Sequence, residues 1–242
     1  TTVKGIEIGS GRFPSQIISD VLGEKIGKRV VSLSGPSFAA EIVERQPTCV
    51  SVACLDISRA ILVQNIFHAP LFRVYTGHDP IGLEVAGALK NVFAIAAGAC
   101  AGLGFGANSM AALITRGLAE MTRFGVTLGA QALTFHGLGG VGDLFLTCTS
   151  QKSRNYTVGF QLGKGLTLSE IVDNLGSVAE GVTTARSARN LALKLGVSAP
   201  ITDVVYRVLY EELEIGQAVQ DLITRDASNE IDFDTGIKTK NT

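Results

Sequence analysis

From Asn91 to Thr115 the chain carries no charged residue and is largely apolar. A stretch of that length is either a membrane span or a segment buried among other helices. It contains Asn91, Asn108 and Ser109, and the run Gly102-Leu103-Gly104-Phe105-Gly106 interrupts it. A lipid-facing helix does not readily carry such a break. The pattern therefore predicts a buried helix from Pro80 to about Ala101, a turn, and a second helix over Ser109–Phe124 behind an Asn108 cap.

The rest of the chain divides into two textures. Up to about residue 77, short β-type runs alternate with helical patterns. Arg29–Leu33, Thr48–Ala53 and Leu71–Tyr75 read as strands, and Thr2–Ile6 as a further strand or its exit. Helices fit Pro14–Lys25, Ser37–Glu44 and Ile57–Phe67. This alternation means βαβ units and a mainly parallel sheet, hence an α/β class. Beyond residue 78 the texture is helical, with helices expected over Val126–Phe135, Arg154–Leu162, Leu168–Leu175, Thr184–Leu195, Ile201–Leu213 and Ala218–Thr224. Thr167 and Glu170 have capping-box spacing. Gly196 and Gly216 stand where helix stops are expected. The polar, aperiodic residues 226–242 read as a disordered tail. The expected organisation is a sheet domain over 1–77, a helical domain over 78–225, and that tail.

Composition narrows the partners. The chain is 46% hydrophobic and 18% charged, enough to bury a sizeable core. Its 21 basic and 22 acidic residues leave a formal charge of −1, which excludes a broad nucleic-acid footprint. Cys49, Cys54, Cys100 and Cys148 have no C-x-x-C spacing and no histidine at ligand distance. They read as reduced, mostly buried thiols of a cytosolic-type compartment, with no metal site. The opening residues show no signal peptide. His68, His78 and His136 share no motif with a nucleophile, and no Ser-His-Asp arrangement is legible.

Lys90 is the only charged residue between Glu84 and Arg116. A lysine in an otherwise apolar helix must snorkel, pair, or lose basicity through desolvation. It is either an ion-pair partner of Glu84 or Asp143, or a general acid–base. Asp143 follows a glycine-rich turn, where it caps a helix or holds Lys90 and a hydroxyl. Ser153-Arg154-Asn155 opens a predicted helix and offers a hydroxyl, a guanidinium and free N–H groups to a phosphate. Gly35–Glu41 follows a strand and opens a helix, which is either ordinary turn chemistry with a Ser cap or a strand end of the kind where α/β proteins bind ligands. The Gly137–Gly142 run matches G-x-G-x-x-G but does not follow a strand, so it is not a dinucleotide turn.

Four segments in order resemble the glycerol-3-phosphate dehydrogenase family. They are Gly35-Pro36-Ser37-Phe38-Ala39-x-Glu41, Ala88-Leu89-Lys90-Asn91-Val92-Phe93 with its continuation to Asn108, Gly142-Asp143-Leu144-x-x-Thr147-Cys148 followed by Ser153-Arg154-Asn155, and Val178-Ala179-Glu180-Gly181-Val182. The likeness runs from Lys4 to about residue 225 and looks like the bacterial or plastid branch. It implies the C-terminal half of a Rossmann-like parallel-sheet domain followed by an all-α substrate domain. The implied reaction interconverts sn-glycerol 3-phosphate and dihydroxyacetone phosphate with NAD or NADP, supplying glycerol 3-phosphate for phospholipid synthesis.

The resemblance makes Lys90 the proton acceptor. It implies substrate contacts at Lys4, Gly35, Ser37, Asp143, Ser153, Arg154 and Asn155. It implies cofactor contacts at Lys4, Ala39, Arg154, Val178 and Glu180. Whole members begin about a hundred residues earlier, roughly the size of a βαβαβ half, so weak or no turnover is expected of this chain alone. A cytoplasmic or plastid enzyme without a membrane span, and a homodimer, are further expectations. The competing readings are a related dehydrogenase with a helical second domain, acting on another phosphorylated or acidic alcohol, and a non-catalytic oligomerisation module.

Overall fold

A computed structural model describes residues 1–175 and 179–225. The first helix, α1 (Pro14–Leu22), is followed by one turn, α2 (Glu24–Gly27), and then by β1 (Ser32–Ser34). Next come α3 (Ala39–Val43), β2 (Thr48–Ala53), α4 (Ile57–Phe67) and β3 (Phe72–Gly77). The strands form one sheet in the order β1-β2-β3. β2 and β3 pair in parallel, Thr48 opposite Phe72 and Ala53 opposite Gly77, with α4 as the crossover. β1 runs antiparallel to β2, Ser32 opposite Ala53. An antiparallel pair needs no long crossover, and five-residue α3 suffices as the connection. On the other side of β1, the Thr1 amino group donates to the Val31 carbonyl and Leu33 N–H donates to the Thr1 carbonyl. That is the pattern of a parallel pair. The expected strand at Thr2–Ile6 is thus only the exit from this pairing, and no strand is assigned there.

The sheet's small core is Val50, Val52, Cys54, Ala60 and Val74. The main core lies around α5 (Pro80–Gly102), which starts with Pro80 behind an Asp79 cap accepting from Gly82 N–H. Against α5 pack α6 (Ala107–Thr127), α7 (Asp143–Thr149), α8 (Arg154–Gly163), α10 (Glu180–Leu195) and α11 (Pro200–Tyr210). The remaining helices are α9 (Leu168–Leu175) and α12 (Ile215–Ile223). Leu89, Phe93, Met121, Phe124 and Phe135 are fully buried here. Each contributes about 1.5–3 kcal/mol by leaving water. Ile6 and Phe13, from the segment before the sheet, join the same cluster. α5 is the one described helix long and apolar enough to cross a membrane, but 83% of its most apolar window is buried inside the protein. It is a core helix, apolar all round because other helices surround it.

Several boundaries differ from the sequence reading. α6 begins at Ala107 behind an extended Gly106, so Asn108 lies inside the first turn rather than capping it. No helix spans Val126–Phe135. α6 ends at Thr127, and Gly129 takes a left-handed φ of +88°. The chain then enters a short 3₁₀ helix, residues 132–136, anchored where Asp79 accepts from Gln131 N–H and the Thr134 hydroxyl. Gly216 is not a stop; it sits in the first turn of α12, which Glu214 caps by accepting from Gln217 N–H. Gly196 does end α10, with φ +68°. Thr167 and Glu170 form the expected capping box. The expected tail, residues 226–242, lies outside the described residues.

The closest helix contact is α5 on α8. Gly98 and Gly102 face Gly159 and Gly163, and a Cβ on any of the four would overlap backbone of the opposite helix. Bare backbones therefore approach so closely that Ala cannot be accommodated without moving a helix. Gly159→Ala is expected to lower stability by about 1–3 kcal/mol or more through overpacking. Denaturant unfolding checks this; a loss below about 0.5 kcal/mol, the range of neutral surface changes, contradicts the packing described.

Candidate active site

Where α5 meets the end of the sheet, two lysines converge on one carboxylate. Lys90 Nζ donates to Asp143 Oδ1 at 2.5 Å and to the Thr147 hydroxyl at 3.1 Å. Lys4 Nζ donates to the other oxygen, Oδ2, at 3.0 Å. The Ser34 hydroxyl also donates to Oδ2, at 3.4 Å. The Lys90 side chain is 8% exposed and that of Asp143 2%, whereas Lys4 reaches the surface at 22%. Two ammonium groups thus face one carboxylate in a site that is closed below and open on the Lys4 side.

Local chemistry sets each position. Asp143 is the first residue of α7, where a carboxylate is favoured by the helix dipole. It is delivered there by the Gly137–Gly142 run, which forms a single π-type turn after the 3₁₀ helix. A Cβ at Gly140 would overlap the backbone of Phe135, so the turn needs glycine. This run is a packing element, and it follows a helix rather than a strand. Thr147 stands one turn along α7 from Asp143 and donates to its carbonyl at 2.6 Å. Lys4 lays its stem over Gly87 of α5.

Burial pushes the Lys90 ammonium down from the ordinary lysine range to about 8. Asp143 opposes that fall and the Lys4 cation adds to it. Lys90 is therefore poised to exchange a proton near neutral pH. Cys148, buried beside the pair, has its thiol pushed up to about 12 by desolvation, which leaves it protonated and inert. Lys90 pairs with Asp143 and not with Glu84.

Adjoining Lys90, Asn91 Nδ2 donates to Glu180 Oε2 at 3.1 Å, and Asn155 Oδ1 accepts from Gly181 N–H at 2.8 Å. These bonds tie the starts of α8 and α10 to α5. Ser153 caps α8 by accepting from Tyr156 N–H, and Arg154 is exposed in its first turn. Gly35, next to Ser34, takes φ +147° over Val50, where a Cβ would stand 2.9 Å from the Val50 Cα. Ser37 donates to the Gly35 carbonyl at 2.9 Å, and Ala39 is exposed at the start of α3. Of the sequence-derived site residues, Lys4 and Lys90 both bond Asp143, while Glu180 bonds Asn91 and Asn155 bonds the adjacent Gly181 N–H. Among the described residues, no hydrogen bond or ion pair joins Ser37, Ser153 or Arg154 to the lysine cluster. Val178 lies outside the described residues.

Thr147 and Ser34 complete the cluster without having been assigned a role from sequence. The i,i+4 spacing of Asp143 and Thr147 is a signal only once α7 is recognised as a helix. Ser34 offers no signal, because its inward face depends on the register of β1.

A family profile described as the C-terminus of NAD-dependent glycerol-3-phosphate dehydrogenase matches residues 79–220, and the corresponding N-terminus profile matches 1–60. A glycerol-3-phosphate dehydrogenase (NAD(P)+) of Geobacter metallireducens is 52% identical over 227 residues, covering 94% of this chain and 68% of the relative. One from Lacticaseibacillus paracasei is 48% identical, covering 96% of this chain and 66% of the relative. The crystal structure of glycerol-3-phosphate dehydrogenase from Coxiella burnetii superposes with a TM-score of 0.87 at 39% identity, covering 93% of this chain and 68% of that one. The chain thus spans about two-thirds of the length of its relatives, and it belongs to the NAD-dependent glycerol-3-phosphate dehydrogenase family.

Proposed function

We propose that this chain carries the acid–base and substrate machinery of a glycerol-3-phosphate dehydrogenase that interconverts glycerol 3-phosphate and dihydroxyacetone phosphate with NAD or NADP. The observation that carries this reading is the desolvated Lys90 held by Asp143 in a chain of that family. Oxidising a secondary alcohol requires a base for the hydroxyl proton while hydride leaves the same carbon. The cofactor, when bound, supplies the hydride chemistry. Neutral Lys90 accepts the hydroxyl proton in the oxidative direction, and the ammonium returns it to the ketone oxygen in reduction. Asp143 holds Lys90 in place and steadies its charge. Lys4 adds a cation on the open side, and the resulting excess of positive charge suits a phosphorylated substrate.

Arg154, exposed at the start of α8, is assigned with Ser153 and Asn155 to the substrate phosphate. Remote binding of that group helps orient the reacting carbon. Gly35 and Ser37 are assigned to the substrate as well, and Lys4, Ala39, Arg154, Val178 and Glu180 to the cofactor. The residues fit the cofactor in part. The base is present and Ala39 and Glu180 are exposed. A glycine-rich strand-to-helix turn that would cradle the pyrophosphate is not found among the described residues. The division into a sheet domain over 1–77 and a helical domain over 78–225 belongs to the same reading. So do a cytoplasmic or plastid location and a homodimer, the last tested by sedimentation.

The test is NADH and NADPH oxidation with dihydroxyacetone phosphate, run on this chain and on a version extended to the relatives' length. Lys90→Ala should cost about 10²–10⁴-fold in turnover; activity within threefold of the parent in a folded variant would remove Lys90 from the chemistry. The pH dependence has a definite sign. Glycerol 3-phosphate oxidation needs neutral Lys90 and should rise as pH passes about 8, while ketone reduction should fall there. Asp143→Asn removes an interaction that holds the Lys90 value up, so both limbs should move to lower pH. Movement to higher pH would contradict the assigned roles.

A further inference from the structure

Glu84 is a buried carboxylate, 5% exposed, and among the described residues no side-chain cation is bonded to it, the Thr1 ammonium alone acting on its charge through space. Three donors meet it instead. Oε1 accepts from Ser15 N–H at 3.0 Å and from the Ser32 hydroxyl at 2.9 Å, and Oε2 accepts from the Ser15 hydroxyl at 2.7 Å. Ser15 lies in the first turn of α1, whose N–H groups and dipole favour a negative charge. A carboxylate this far from solvent costs free energy unless such bonds satisfy it, so its retention needs a reason.

Its place in the fold supplies one. Glu84, Gly87 and Lys90 follow one another at i,i+3 spacing along α5 and so form a ridge. β1 runs beside this ridge and turns Ser32 and Ser34 to the same side, as alternate strand residues do. Ser32 bonds Glu84 at one end, and Ser34 bonds Asp143 at the other. Between them, a Cβ on Gly87 would stand 3.4 Å from both the Ser34 hydroxyl and the Lys4 Cγ. The Lys4 segment is tied down on both flanks. Thr1 bonds β1 on one side, and Ser15, after the buried Phe13, bonds Glu84 on the other.

We propose that Glu84 is a positioning residue for the reaction. Its carboxylate fixes β1 and the start of α1 along the α5 ridge, so that Ser34 and Lys4 reach Asp143 opposite Lys90. Glu84 touches none of the reacting groups and acts through Ser32, Ser15 and the backbone between them. The catalytic consequence rests on the function proposed above, whereas the positioning itself does not.

Amine acylation of the folded protein, read residue by residue by mass spectrometry, separates the two. Lys4 is protected by its bond to Asp143, and Asp143→Asn gives the rate expected of a released Lys4. Glu84→Ala should raise Lys4 labelling several-fold, towards the Asp143→Asn rate, with Lys90 still protected. Combined with Asp143→Asn it should add nothing. Glu84→Gln should stay near the parent, because its carbonyl oxygen keeps the bonds from Ser15 N–H and Ser32 and its amide can donate to the Ser15 hydroxyl. If Glu84→Ala does not fold, Ser32→Ala, which removes one bond, decides in its place. Unchanged Lys4 labelling in a folded Glu84→Ala or Ser32→Ala protein overturns the proposal, as does an increase that adds to that of Asp143→Asn. In turnover, kcat/KM of Glu84→Ala should fall on the order of tenfold by misplacement of Lys4, with Glu84→Gln again near the parent. An inactive parent would count against the proposed function and leave the labelling result to judge Glu84.

Discussion

One ion pair organises the chemistry of this protein: the buried ammonium of Lys90 against Asp143. An apolar helix gains by enclosure, while a charge on it loses hydration when enclosed. α5 resolves that conflict at a single position. Asp143, Thr147 and, through Asp143, Lys4 and Ser34 gather around Lys90. The groups come from the N-terminal segment, β1, α5 and α7, so the cluster forms only when sheet and helices are assembled. Burial first, and the Lys4 cation second, leave the lysine less basic than usual, while Asp143 opposes that fall and keeps it paired.

The same helix answers a packing problem on its other side. Glycines at Gly98 and Gly102 let α8 approach so closely that the start of α8 lies beside Asn91 and Gly181. Helix propensity is given up at those positions, by roughly 1 kcal/mol per glycine, in exchange for close helix contact. The outcome brings Asn155 and Asn91, the neighbour of Lys90, together around Gly181, with Ser153 and Asn155 buried and Arg154 exposed between them. Glu120 shows a related solution elsewhere. Its buried carboxylate accepts from Ile201 N–H, Thr202 N–H and the Thr202 hydroxyl, and so caps α11 from α6.

Much of this was legible in the sequence because it rests on local signals. The uncharged run with a glycine break gave the α5–turn–α6 hairpin, and β2, α4 and α9 fall on the residues expected. Lys90 was conspicuous because it is a lone charge in an apolar helix. What the sequence concealed depends on tertiary contacts. The antiparallel register of β1 turns Ser32 and Ser34 inward, and nothing local encodes that register. The expected helix over Val126–Phe135 gave way to a 3₁₀ turn because Asp79, far away in sequence, captures Gln131 and Thr134. The choice of Asp143 over Glu84 as the partner of Lys90 was likewise beyond spacing. It follows from Glu84 being occupied by Ser15 and Ser32.

The most direct test of the account is the equilibrium titration of the Lys90 side chain itself, followed by NMR in protein carrying isotope-labelled lysine and assigned with Lys90→Arg. A midpoint near 8 in the parent, moving lower in Asp143→Asn, is the predicted result. A midpoint near the ordinary lysine value of about 10.4 would mean that burial does not tune this amine, and the acid–base role built on it would fall.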